Sequence, residues 1–334
     1  MNEKKGVPVE EGLELAPLAP ARRRMARAVS PGARPAFEES AACPAGVDVP
    51  QPGDNAIRIA LLNLMPTKRE TELQFSALLT HPLAPVTITL LTTETYTPTH
   101  VSPVDLAARY KTIGQIERQR FDGLIVTGAP VERLPFEQVE YWAELTDILS
   151  WSRVAVGWRL YICWGAQSAL YHRHGVAKTL APRKLFGVFE QQVLRPDAAV
   201  LEGFPTAFPT PVSRHTGVDE GELRATGVNV LARSDQTGAC LMQGDSGRDL
   251  YMMNHLEYDA HTLSAEYRRD RERGVPVPLP ANYFTDDDPG KPPCETWQPF
   301  AQLFFRNWLT MTLTSCVARC HGSMTHRATK QTNV

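Results

Sequence analysis

Cys163 and His255 are the residues whose types and settings point most directly to chemistry. Cys163 falls in WRLYICW (158–164), which reads as a buried strand, and the chain passes at once into GAQSALYHRHG (165–175), which reads as a helix closed by Gly175. A strand–helix junction lifts a side chain above a sheet and beside the positive end of a helix dipole. Both features favour a thiolate, the reactive form of cysteine. Trp164-Gly165-Ala166 supplies a tight turn in which a backbone N–H can face an oxyanion, the geometry of a nucleophile elbow with sulfur in place of oxygen. His255 ends a second predicted strand, DLYMMNH (249–255), and Glu257 follows two residues later. In extended chain, residues i and i+2 point the same way, so Glu257 can hold the imidazole in one tautomer. Each residue also has a plainer reading. A cysteine ending a buried strand is commonly inert packing, and a histidine near an acid is common on surfaces. The pairing gains weight because parallel strands of one sheet gather their carboxyl ends at one rim.

The elements that must position these groups alternate in type. IRIALLNLM (57–65), VTITLLTTE (86–94), FDGLIVTGAP (121–130) and 158–164 read as strands. ETELQFSALLTH between the first two, 136–151 and 165–175 read as helices, the second with Val139, Trp142, Leu145 and Leu149 on one face. Strands alternating with helices at this pitch predict a doubly wound, mostly parallel α/β sheet covered on both faces. After residue 184 the pattern changes to strands at 184–194, 228–234, 238–244 and 249–255, with a DSGR turn joining the last two as a hairpin. A helix over 259–274, a Pro- and Asp-rich loop and an amphipathic helix over 300–313 complete the chain. There is no internal repeat, so one doubly wound domain over 54–314 is the simplest account. Residues 1–53, rich in Ala, Pro and Gly, and residues 315–334 are expected to be disordered appendages.

Composition narrows the function. The chain has 334 residues, 43% hydrophobic and 22% charged, with a formal net charge of −2. That balance gives no reason to expect nucleic acid or membrane binding. No apolar run approaches the ~20 residues that cross a bilayer, and the mixed charge of MNEKKGVPVEEG is unlike a signal peptide, so a cytoplasmic location is expected. Six scattered cysteines in a long chain read as reduced thiols. Cys316, Cys320, His321 and His326 fit no standard zinc spacing, and no metal is expected. Neither a GxxxxGK[ST] loop nor a GxGxxG fingerprint is present, which leaves no resident nucleotide cofactor in view.

A cysteine elbow with a late His-x-Glu resembles the class I glutamine amidotransferase fold, which is flavodoxin-like. More closely, the sequence resembles the homoserine O-acyltransferase family of methionine biosynthesis, built on that fold. The resemblance runs from about Leu61 to Leu309 and is carried by eight blocks in order: LNLMPTKRETELQF (62–75), FDGLIVTGAPVE (121–132), YICWGAQSALY (161–171), KLFGVFE (184–190), VSRHT (212–216), NHLEYDAHTLSAEYRRD (254–270), PANYF (280–284) and FRNWL (305–309). It implies that Cys163 is an acyl-thioester nucleophile, His255 the general base and Glu257 the residue orienting that base. It places Lys184 and Ser213 at substrate-binding positions and Arg269 where an α-carboxylate would be paired, a task suited to a guanidinium fork. Lys68 matches a lysine near the active site. The Trp164 N–H and the loop after Gly128 are the implied oxyanion donors.

Glu132 matches the position associated with acyl choice, where glycine leaves room for a succinyl group and glutamate resembles acetyl-using members. The physics agrees: a carboxylate there repels the free carboxylate of succinyl-CoA, costing on the order of 1 kcal/mol or more in a dry pocket. The family often has Gly before the catalytic histidine and Pro after it; here these are Asn254 and Leu256. The resemblance implies homoserine O-acetyltransferase activity with L-homoserine and acetyl-CoA as small-molecule substrates, no cofactor, and it allows a homodimer. Alternatives are a succinyltransferase, an enzyme acting on serine or another hydroxy amino acid, a glutamine amidotransferase on the same fold, and a non-catalytic α/β binding protein in which Cys163 is packing.

Overall fold

A computed structural model describes residues 56–96, 102–244 and 246–328, with side chains described through residue 313. The expected appendage 1–53 therefore lies outside the described residues, as do the side chains of Cys316, Cys320, His321 and His326.

The chain opens with the expected alternation. Strand β1 (Ile57–Leu62) is followed by α1 (Lys68–Leu78), β2 (Val86–Leu91), the short helices α2 (Pro103–Arg109) and α3 (Ile113–Ile116), β3 (Phe121–Val126), α4 (Trp142–Ala155), β4 (Val156–Ile162) and α5 (Trp164–His174). Next come β5 (Lys178–Val193), β6 (Ala207–Val218), α6 (Glu220–Arg224), β7 (Asn229–Ser234), β8 (Gly238–Gln243) and β9 (Asp249–Met252). Helices α7 (Thr262–Glu272) and α8 (Gln298–Ala328) close the described chain, the last running past the boundary expected at 314.

The nine strands among the described residues form one sheet in the order β2-β1-β3-β4-β9-β8-β7-β5-β6. The first five pair in parallel and the remainder pair antiparallel, with β9 carrying both kinds of neighbour. Numbered among the parallel strands alone, the order is 2-1-3-4-5, the flavodoxin-like winding. The doubly wound α/β fold is thus present, extended by four antiparallel strands.

Strand parity builds two cores. Along β1, Ile57, Ile59 and Leu61 join one cluster with Phe305, Trp308 and Leu309 of α8, while Ala60 and Leu62 join another with Leu145 and Leu149 of α4. Gly123 of β3 has no side chain because a Cβ there would lie 2.7 Å from both Ile59 and the Trp308 indole.

Three local readings differ from the structure. The expected helix over 136–151 is a 3-10 turn at Phe136–Gln138 and then α4. Phe136 stacks on Tyr171 and Trp142, and Glu137 accepts a 2.5 Å hydrogen bond from the Tyr171 hydroxyl, which holds the turn apart from the helix. Strand β6 was not anticipated: its buried face carries Thr210, Arg214 and Thr216 among the apolar residues, and it contains Pro209 and Pro211. Prolines are tolerated there because β6 is an edge strand. Finally, β9 ends at Met252, so His255 sits in the turn beyond it. No helix among the described residues is long and apolar enough to cross a membrane.

Candidate active site

The carboxyl ends of β3, β4 and β9 meet at one edge of the sheet, and each is followed by a residue of the site. Cys163 follows β4 as the N-cap of α5, with φ 51° and ψ −116°. A non-glycine residue at positive φ costs on the order of 1–3 kcal/mol and persists where the surroundings fix it. Here they do: the Cys163 N–H donates to Met252 O at 2.7 Å, and its carbonyl accepts the first bond of α5 from Gln167 N at 3.1 Å. Gly165 makes the bend fit. A Cβ at that position would stand 2.6 Å from Thr127 O and 2.7 Å from Val126 O, so only glycine lets the start of α5 lie against the end of β3.

His255 is held over the thiol. Its backbone N–H donates to Pro211 O at 2.9 Å, and its ring Nδ1 lies 2.6 Å from Glu257 Oε1. The Glu257 contact expected from extended alternation exists, but the turn after β9 makes it. Burial alone would lower the imidazole pKa. The Glu257 carboxylate, then Cys163, outweigh burial and hold it well above the ordinary histidine value. The Cys163 sulfur and the His255 ring both border Gly128, which places them side by side. Gly128, after β3, roofs the pair: a Cβ there would lie 3.3 Å from Cys163 Cβ and 3.7 Å from His255 Cε1. Trp164 is fully buried as the first residue of α5. Cys163, His255, Glu257 and Gly128 are therefore brought together, with the Trp164 backbone beside them.

Lys184, Ser213 and Arg269 converge on a second cluster that contains two residues the sequence reading missed. Ser213 Oγ donates to Glu266 Oε2 at 2.5 Å. Lys184 Nζ lies 3.2 Å from Asp270 Oδ2 and 3.6 Å from Glu266 Oε2, and Arg269 pairs with Asp270 at 2.7 Å. Burial would raise the Asp270 carboxyl, but the Arg269 hydrogen bond and the Lys184 charge hold it below the usual range. Glu266, Arg269 and Asp270 sit at i, i+3 and i+4 on α7. That spacing of opposite charges, in SAEYRRD, was the signal available in the sequence.

Two named residues stand apart from the catalytic contacts. Lys68 is buried at the start of α1; its Nζ donates to Asn63 O at 2.6 Å and stands over the Tyr110 ring, and burial lowers its pKa to about 8 against the pull of Glu72. Its hydrogen bond goes to that backbone oxygen and not to the cysteine or the histidine. Glu132 Oε2 accepts from His215 N at 2.8 Å and from Thr216 Oγ1 at 3.1 Å, which fixes its carboxylate on β6 two residues from Ser213. Thr216 in turn bonds Gln167 of α5, linking Glu132 to the helix that Cys163 caps.

Fold and site define a flavodoxin-like α/β protein with a buried Cys-His-Glu constellation on a strand–helix elbow and a charged cluster beside it. Comparison with known proteins places it further. The model of the family described as Homoserine O-succinyltransferase matches residues 51–317, and the chain belongs to that family. Among curated relatives, a homoserine O-acetyltransferase of Synechococcus sp. is 48% identical over 255 residues, covering 76% of this chain and 85% of its own. One of Geobacillus kaustophilus is 43% identical over 254 residues, covering 76% and 84%. Among solved structures, that of SMU.1228c superposes with a TM-score of 0.50 at 15% identity, covering 77% of this chain and all of the other; this likeness is one of fold.

Proposed function

We propose that this protein is a homoserine O-acetyltransferase of methionine biosynthesis that moves the acetyl group of acetyl-CoA to the hydroxyl of L-homoserine through a thioester on Cys163. The observation that carries the reading is the adjacency of the Cys163–His255–Glu257 constellation to a charge-balanced cluster. Lys184 and Arg269 supply two positive charges, and Glu266 and Asp270 two negative ones. An amino-acid zwitterion, with one charge of each sign, can exchange into such a cluster without leaving a buried charge unpaired. The names and identities of the curated relatives support the same assignment.

The chemistry runs in two halves. The Cys163 thiolate attacks the acetyl carbonyl, and the tetrahedral oxyanion is stabilised by backbone N–H groups at the elbow and in the loop after Gly128. Collapse breaks the C–S bond to CoA, whose thiolate takes the proton from the His255 imidazolium. Homoserine then docks its α-carboxylate on Arg269 and Lys184 and its ammonium on the facing carboxylates. His255 takes the hydroxyl proton as the oxygen attacks the thioester, and the Cys163 thiolate leaves. Thioester exchange is nearly balanced in energy, which suits sulfur, and water must be kept out of the acyl-enzyme. CoA serves here as a co-substrate and not as a resident cofactor.

Glu132 favours acetyl over succinyl, because a carboxylate anchored to the β6 backbone keeps its charge in place against a second one. The test is CoA release by purified protein with homoserine and either acetyl-CoA or succinyl-CoA, with Cys163→Ser as control. Release with acetyl-CoA that needs both homoserine and Cys163 is expected, and Glu132→Gly should raise the succinyl-to-acetyl ratio about tenfold. Release with succinyl-CoA alone would overturn the role of Glu132, and ammonia from glutamine would overturn the acyl-transfer reading.

A further inference from the structure

Between the catalytic constellation and the charged cluster stands Tyr258, which neither the elbow chemistry nor the acceptor clamp uses. Its ring is stacked on the His255 imidazole, with centroids 4.2 Å apart and planes 19° from parallel. Its hydroxyl donates to Glu266 Oε1 at 2.8 Å, while the other oxygen of that carboxylate takes the Ser213 hydroxyl. The residue is 4% exposed. Its backbone is pinned as well: Tyr258 O accepts from Trp297 Nε1 at 2.8 Å and from Gln298 Nε2 at 3.1 Å.

We infer that Tyr258 is a positioning residue that fixes the plane of the catalytic imidazole and ties it to the carboxylate that receives the acceptor's ammonium group. The inference rests on the acyl-transfer reading above. The need for such a residue is geometric. One hydrogen bond at Nδ1 sets where that nitrogen points but leaves the ring free to swing about the bond. A swing of tens of degrees carries Nε2 away from the sulfur. A flat ring packed face to face removes that freedom, and Tyr258 is the residue that supplies one. The hydroxyl does separate work. Glu266 has two oxygens to orient, and the Tyr258 O–H occupies one of them. The other is left on the Ser213 and Lys184 side, where the acceptor binds. Burial first, and then the nearby carboxylates of Glu266 and Glu257, hold the phenol pKa well above its ordinary value, so the hydroxyl remains a donor throughout the working range.

The two roles are separable by substitution. Tyr258→Phe keeps the stacked ring and removes the bond to Glu266; Tyr258→Leu removes the ring as well. Three readouts follow. The first is the rate of Cys163 alkylation by iodoacetamide against pH, which needs no substrate. The second is formation of acyl-enzyme from the CoA ester alone, and the third is the KM for homoserine. In Tyr258→Phe, alkylation and acyl-enzyme formation should stay within about twofold of wild type. The homoserine KM should rise about fivefold to tenfold, the order of the net contribution of one hydrogen bond. In Tyr258→Leu, acyl-enzyme formation should fall tenfold or more, on the order of a misplaced general base, and the alkylation profile should move to higher pH as the thiolate loses its aligned imidazolium. A Tyr258→Phe enzyme with wild-type KM overturns the coupling to Glu266. An unshifted alkylation profile in Tyr258→Leu overturns the positioning of His255. Equal slowing of both halves in both variants would mean a merely structural role and overturns the inference entirely. Should the wild type form no acyl-enzyme from any CoA ester, the acyl-transfer reading and the coupling fail together. The alkylation profile still decides the stacking claim by itself.

Discussion

Glu257 shows what a single charge does inside this site. It is buried, one of its oxygens lies 2.6 Å from His255 Nδ1, and the other has no hydrogen-bond partner among the described residues. The carboxylate is thus committed to the histidine, which it holds well above the ordinary pKa. The consequence for stability has a definite sign. A base whose folded pKa exceeds its unfolded value of about 6.5 stabilises the fold fully below that value, and the contribution is lost as pH rises through the folded pKa. Glu257→Gln removes the leading charge that raises the pKa. The stability gap between wild type and Glu257→Gln should therefore be widest near pH 6 and close towards alkaline pH in paired urea titrations. Acyl transfer should fall about a hundredfold or more, since the amide neither fixes the tautomer nor supports an imidazolium. A gap that widens with pH would remove the imidazolium from the account. Cys163, His255 and Glu257 were legible in the sequence because reactive types follow closely on two predictable apolar strands. Glu266 and Asp270 showed only as a charge spacing on α7, and Tyr258 not at all, because their meaning lies in contacts between α7, β5, β6 and the turn after β9.

At the scale of elements, the elbow depends on how closely α5 approaches β3. The strand–turn–helix reading of 158–175 anticipated both elements to within two residues, and Gly175 does end the helix in the left-handed conformation at φ 70°. Hydrophobic runs and glycine stops are local signals, and they served wherever the local pattern was apolar. They failed at β6, where Arg214 lies on the buried face with its guanidinium on the carbonyl oxygens of Thr216 and Thr237. Backbone oxygens satisfying a buried cation leave no trace in a hydropathy pattern. The role of Gly165 was equally unmarked, since its necessity comes from two carbonyl oxygens on a different strand. Gly165→Ala should push the start of α5 off β3 and shift Cys163 by a fraction of an ångström to an ångström. A displacement of that size costs about a hundredfold in rate, with a stability loss of about 1–3 kcal/mol from overpacking. A kcat comparison beside a urea titration checks both. A variant that loses stability while keeping wild-type kcat would show the elbow to be less exacting than its geometry implies.

Taken as a whole molecule, the sheet divides the labour between its halves. The parallel strands bring the nucleophile and the base to their carboxyl ends, and the antiparallel strands β5 and β6 carry Lys184 and Ser213 towards them. Strand β9 is where the halves meet, pairing with β4 on one side and β8 on the other, and the base follows it directly. A site assembled across such a seam needs the parallel half held rigid from behind. Helix α8 does this: Trp308 is fully buried, and its ring closes on the backbone of β3 at Gly123. Its indole nitrogen has no hydrogen-bond partner among the described residues, so the contact is one of shape alone. Trp308→Ala should then cost about 3–5 kcal/mol, the range for emptying a buried aromatic site. Trp308→Phe should cost far less than the alanine, because it keeps most of the ring volume and removes a buried N–H left unsatisfied. Urea titrations of the three proteins measure the order. A phenylalanine variant as unstable as the alanine would mean that the indole nitrogen is engaged after all, and that α8 grips the sheet by a polar contact and not by packing.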